Sequence, residues 1–179
     1  MYQDIIDFWF CKEVSQYWFN STEEFDRQLR EDYAELWQQA ADGELVDWQE
    51  SALGSLALVI LLDQFPLNMF RGEAKCFATE AQSREVAGVA IDRGFDINLP
   101  ANQKSFLYMP FMHSESLEDQ GKSLQLFDQA GLEDNFRFAR HHYSIVQRYG
   151  RFPHRNAILG RESTEAELEY LNSKEAFLG

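Results

Sequence analysis

The chain has 179 residues, 45% of them apolar and 15% aromatic, with 30 acidic side chains against 16 basic ones and a net charge of −14. That length suits one domain with a substantial core. The charge disfavours nucleic acid and anionic membrane, so neither is expected as a partner. Two cysteines, Cys11 and Cys76, have no metal-ligand spacing, and one disulfide would be weak evidence of export. The opening residues, MYQDIIDFWF, lack a basic leader and a long apolar stretch. The longest apolar run, residues 56–62, falls short of the ~20 residues that cross a bilayer. A reducing cytoplasmic setting is therefore the expectation.

Tyr2, Ile5, Ile6 and Trp9 follow helical spacing and predict a short amphipathic helix. Ser21 with Glu24 reads as a capping box opening a helix over 22–41, with Phe25, Leu29, Tyr33, Leu36 and Ala40 on one face and Gly43 as its stop. Residues 48–63 read as a buried helix. A buried strand is the alternative, but the length and the absence of nearby hairpin turns favour helix. Residues 74–93 form a longer helix closed by Gly94. Pro100 opens a short helix reaching Tyr108, and Pro110 breaks it. Ser116 with Asp119 caps a helix over 116–130 that stops at Gly131, and the next covers 134–149 before Gly150. Thr164 with Glu167 caps a last one carrying Leu168 and Leu171. No segment reads as a strand. The pattern predicts an all-α fold of about six to eight helices, antiparallel helical hairpins in a single domain over 1–179. Gln-Phe-Pro-Leu-Asn at 64–68 and Arg-Phe-Pro-His-Arg-Asn at 151–156 echo one another, each following a helix with a Phe-Pro plug.

The charge is unevenly spread. Residues 137–161 hold six arginines, three histidines and no acidic residue. Such an island either pairs with internal carboxylates or presents positive charge to an anion. On the helix from Glu133, at 100° per residue, His142 falls inside a broad apolar arc with Phe136, Phe138, Ala139, Tyr143, Ile145, Val146 and Tyr149. His141 falls at its edge, and Arg137, Ser144, Arg148 and Arg151 take the polar face. After Gly150, His154, Arg155 and Asn156 are expected at a helix N-terminus, where free N–H groups and arginine forks favour an anion. The alternative is that they tie a loop to the core.

Asp63, at the expected end of an apolar helix, opposes the dipole and asks for an arginine, with Arg71, Arg151 and Arg155 as candidates. His113 and Glu115 precede the Ser116 cap and could form an acid–base pair or offer metal ligands. The histidines come from separate segments with no diagnostic spacing, so no metal or other cofactor is expected. Ser114 beside His113 is a candidate nucleophile, but no strand-turn-helix elbow surrounds it, which favours capping.

Four blocks carry a resemblance: DFWF at 7–10, LLDQFPLNMFRG at 61–72, FLYMPFMHSE at 106–115 and RYGRFPHRNAILGREST at 148–164. In order and spacing the chain resembles a widespread, mostly bacterial family of uncharacterised proteins. The resemblance implies an all-helical, tetratricopeptide-repeat-like (TPR-like) fold. It matches a penultimate-helix histidine to His142, departs at Leu67 where an arginine is usual, and implies no reaction or cofactor.

The expected site gathers Asp63, Asn68, Arg71, Arg151, His154, Arg155, Asn156 and Arg161 for ligand binding, with His113, Glu115 and His142 as candidate catalytic groups. The expected function is binding of a small anionic ligand or a peptide carboxylate. The alternatives are a hydrolase using His113 and Glu115, and a protein-interaction scaffold whose polar cluster is structural.

Overall fold

The computed structural model describes residues 1–128 and 132–178. It divides into two compact units, Met1–Pro110 and Phe111–Gly179. Among the described residues every regular element is helical and none is a strand.

In the first unit, α1 (Tyr2–Trp9) buries Ile5, Ile6 and Trp9, as its spacing predicts. A single turn, α2 (Lys12–Ser15), leads to α3 (Glu23–Ala41). The α3 cap is Thr22, whose hydroxyl accepts the Phe25 N–H at 3.2 Å, one residue later than expected. Both hydroxyls suit a cap. Ser21 instead donates to Asp26 at 2.5 Å, a carboxylate that Arg71 also holds.

The predicted helix over 48–63 is displaced at both ends. A 3₁₀ turn, Val46–Glu50, comes first, and Ser51 then caps α4 (Ala52–Val59) through the Gly54 N–H. A Cβ on Gly54 would lie 2.1 Å from the Trp48 carbonyl oxygen, so the tight entry requires glycine there. At its far end the helix does not stop at Asp63. It widens into a π turn, Ile60–Gln64, and continues as α5 (Phe65–Met69). Pro66 is the physical reason: without an N–H it cannot serve the Leu62 carbonyl four residues back. The Thr79 hydroxyl donates to that carbonyl at 2.6 Å and accepts the Trp37 indole N–H at 3.2 Å. Asp63 therefore lies within a helix, and the dipole argument made for it does not apply.

The stretch Ala52–Met69 is long and apolar enough to cross a membrane, with mean hydropathy 1.5, and 83% of it is buried inside the protein. Rings close around it: Phe65 lies 5.4 Å from Trp9 and 5.0 Å from Tyr33. Such tilted and edge-on pairs add to the area that they bury.

The helix expected over 74–93 is also divided, into a 3₁₀ turn, Ala74–Phe77, and α6 (Glu80–Asp92). Thr79 at the junction makes no side-chain cap to α6; its hydroxyl donates to the Leu62 carbonyl and accepts the Trp37 indole N–H. In α7 (Ala101–Met112) the helix runs through Pro110 rather than breaking there. The proline falls in the last turn, where it removes one hydrogen bond, and residues 105–112 are all buried.

The second unit opens with α8 (Leu117–Phe127), capped by Ser116, whose hydroxyl accepts the Asp119 N–H at 3.4 Å. The predicted extension to 130 and the stop at Gly131 lie outside the described residues. Helix α9 (Glu133–Tyr149) packs against α8 and ends at Gly150 in the left-handed region, φ 71°. A 3₁₀ turn, Pro153–Arg155, precedes α10 (Glu165–Leu171), whose capping box from Thr164 and Glu167 forms as read. Ile145, Val146, Phe152 and Tyr170 form one core cluster of this unit. Phe138, placed on the apolar arc by the helix angle, is instead 51% exposed.

Candidate functional site

The basic island is largely paired within its own unit. Glu115 lies at the mouth of the loop before α8, and Arg161 grips its carboxylate with two nitrogens at 2.7 and 2.9 Å. The Phe152 N–H reaches the same carboxylate at 2.7 Å. Burial pushes the Glu115 carboxyl up, but the Arg161 and Phe152 hydrogen bonds and the charges of Arg161 and Arg155 hold it below its ordinary value. Arg151 forms a second fork, on Glu167, at 2.6 and 2.8 Å. The same carboxylate accepts the Thr164 N–H at 2.7 Å. The Arg151 hydrogen bond is the main cause that holds Glu167 at about 2.

Asn156, almost wholly buried, knits the two forks together. Its carbonyl oxygen accepts from Arg161 at 3.0 Å and its amide donates to the Ser163 hydroxyl at 3.0 Å. Arg155 donates to the His113 carbonyl at 2.9 Å and lies 4.8 Å over the Phe152 ring. The helix N-terminus expected at 154–156 is only a three-residue 3₁₀ turn. Its Arg155 and Asn156 N–H groups donate to the carbonyls of Phe152 and Pro153, so they are not open to an anion.

Behind the forks lies a histidine cluster. The His142 Nδ1–H donates to the Phe138 carbonyl at 2.8 Å, which leaves Nε2 with the lone pair. Burial brings His142 down to about 3, and the charges of His113, His141 and His154 act in the same direction. Burial likewise brings His154 down to about 4, with Arg155 adding to the effect. Both imidazoles are neutral at physiological pH. The His154 Nδ1 is buried without a hydrogen bond. Among the described residues no group of three or more His, Cys, Asp and Glu is arranged to hold a metal ion.

The remaining arginines of the island face outward. Arg137 pairs with Asp134 at 3.2 Å, both exposed. Arg140 and Arg148 are exposed and have no ion pair among the described residues. Arg148 lines two neighbouring clefts. One, of about 230 Å³, is formed with His141, Ser144, Tyr149, Tyr170 and Glu175. The other, of about 340 Å³, is formed with Tyr149, Arg151, Thr164 and Glu167.

The family model for bacterial proteins of unknown function, DUF924, matches residues 5–175. The chain belongs to that family. A solved structure of a protein of unknown function from Agrobacterium tumefaciens is similar to it over 96% of each chain, at 41% sequence identity and a TM-score of 0.91. No curated protein matches the sequence.

In this DUF924 protein the expected site residues are distributed as follows. His113, Glu115, His142, Arg151, His154, Arg155, Asn156 and Arg161 all belong to the second unit, tied together by the contacts above. Asp63, Asn68 and Arg71 belong to the first. There Arg71 does not answer Asp63. It binds Asp26 at 2.7 Å and the Asn68 carbonyl oxygen at 3.0 Å. The fully buried Asp63 carboxylate accepts from the Gln64 amide at 2.5 Å, and Asn68 donates to the Gln64 carbonyl at 3.0 Å. Ser114 donates to Asp119 at 2.6 Å and accepts the Ser116 N–H at 3.1 Å, a capping role. Sequence reasoning missed Glu167 as an ion-pair partner, because its capping-box role explained it already. It also missed Phe177, which no periodicity singles out, and it used Arg148 only as a marker of the polar face.

Proposed function

We propose that the second unit binds a small anionic ligand or a peptide carboxylate on the polar face of α9, with Arg148 as the anchoring cation. The observation that carries this reading is that Arg148 lines both clefts and carries no ion pair among the described residues. A guanidinium free to offer its fork binds carboxylate or phosphate in two-point geometry. Arg151 and Arg161 serve a different purpose in this reading. An anion there would have to displace Glu167 or Glu115, each already held by two nitrogens of one guanidinium. Arg151, paired with Glu167, lines the second cleft, and Arg161 ties the chain to Glu115. The TPR-like character implied by the resemblance suits such a surface, since helical hairpins present side chains of one helix along a groove. The hydrolase alternative draws little from Glu115, whose carboxylate accepts three hydrogen bonds and holds a proton poorly.

The test is thermal unfolding in inorganic phosphate, sulfate and acetate at constant ionic strength. Wild type should gain about 2–4 °C near saturation, by mass action. Arg148→Ala should lose most of that gain. Arg161→Ala should lower the baseline yet keep the anion response. A wild-type curve that responds only to ionic strength would refute anion binding.

A further inference from the structure

After α10 the chain brings one aromatic ring back onto the histidine cluster. The Phe177 ring lies 4.5 Å from His142, 5.0 Å from His154 and 6.4 Å from His141, edge-on to all three. It also packs on the core formed with Phe152 and Tyr170, and is half-buried there. Its backbone is held as well: the Phe177 N–H donates to the Tyr170 hydroxyl at 2.8 Å. Around it the attachment is slight. Glu175 and Ala176 donate only to Ser173, within the same segment.

Ring and backbone N–H together are what a peptide-like ligand would offer. We propose that this socket is a recognition site for an aromatic residue that carries a nearby carboxylate, and that Phe177 is its internal occupant. The proposal rests on the anion reading above, because Arg148 supplies the carboxylate contact. The socket and the cleft of about 230 Å³ share His141 and Tyr170, so one ligand spans both. Neutral imidazoles suit an aromatic guest. They meet it in edge-to-face geometry and need no counterion. An external ligand must displace a tethered ring whose effective concentration is high, so the wild-type affinity is reduced by the fraction of open sockets.

N-Acetyl-L-phenylalanine as its carboxylate is the probe, with acetate as the anion-only control. Binding is read by calorimetry and by the imidazole NMR signals of His142 and His154. Phe177→Ala should bind the probe about tenfold tighter than wild type, with those imidazole signals shifting, because the competitor is gone. Phe177→Leu replaces the ring by a smaller, non-aromatic side chain and leaves the Tyr170 hydroxyl in the socket. It should also tighten binding, and it serves if Phe177→Ala does not fold. Acetate should gain nothing from either change. If neither variant, folded by circular dichroism, binds the probe more tightly than wild type, the socket is refuted. If Arg148→Ala abolishes the acetate and phosphate responses while the socket variants show no ring preference, the socket fails and the anion reading stands. If the socket variants prefer the aromatic probe but Arg148→Ala changes nothing, the carboxylate half of both readings fails.

Discussion

At the scale of single residues, the histidines link packing to pH. His142 and His154 are held at about 3 and about 4, against an ordinary value of 6.5. Below 6.5 the unfolded chain takes up protons that the folded chain refuses. Their contribution is therefore fully present above pH 6.5 and is lost as pH falls from there towards the folded values. At pH 5 each histidine should cost about 2 kcal/mol of stability relative to pH 7. Urea unfolding at pH 7, 6 and 5 should show this slope, and His142→Gln should flatten it by roughly half. A stability unchanged between pH 7 and 5 would contradict the buried neutral imidazoles. His141, at the edge of the same helix, is half-exposed, so His141→Ala should shift stability by no more than about 0.5 kcal/mol. The carboxylates work in the opposite sense. Glu167, at about 2, contributes above its unfolded value and loses that contribution as pH falls towards 2. Glu167→Gln should lower stability, because it removes the counter-charge of Arg151 and weakens the capping box with Thr164.

At the scale of elements, the helix from Ala52 to Met69 shows how one residue reorganises another segment. Pro66 leaves the Leu62 carbonyl without its helical donor, the turn widens, and Thr79 supplies the hydrogen from the turn before α6. Thr79→Val keeps the shape and removes the donor. It should cost about 1–3 kcal/mol, since it leaves a buried carbonyl and the Trp37 indole N–H short of a partner. Gly54→Ala should destabilise, although helix propensity alone favours alanine, because its Cβ meets the Trp48 carbonyl at 2.1 Å. Denaturant midpoints of the two variants check both statements. A gain in stability at Gly54→Ala would mean that the Val46–Glu50 turn shifts freely, which its backbone contact argues against.

At the scale of the whole molecule, charge sets the conditions. With a net charge of −14 the folded chain repels itself, and added salt screens that repulsion. Raising sodium chloride from about 20 mM to about 500 mM should increase the melting temperature by a few degrees, ~2–5 °C. The local basic island does not offset this for the molecule, because Arg151 and Arg161 are already matched by Glu167 and Glu115. A melting temperature that fell with salt would indicate that the internal ion pairs outweigh the net repulsion.

Much of this was legible in the residues alone. The helical class follows from apolar spacing, as in Tyr2, Ile5, Ile6 and Trp9, and from caps whose donors and acceptors lie three residues apart, as in Ser116 with Asp119 and Thr164 with Glu167. His142 was assigned inward by the helix angle, which is a local property. The basic island was visible as a count of charges. What the arginines do with that charge depended on which carboxylates the fold delivers: Glu115 is 46 residues from Arg161 and Glu167 is 16 from Arg151. The continuation past Asp63 depended on Thr79, and the seat of Phe177 depended on the return of the chain after α10. Periodicity and capping act within a few residues, so the sequence by itself determined them. Ion pairing, carbonyl rescue and ring packing act between segments, so only the tertiary structure decided them.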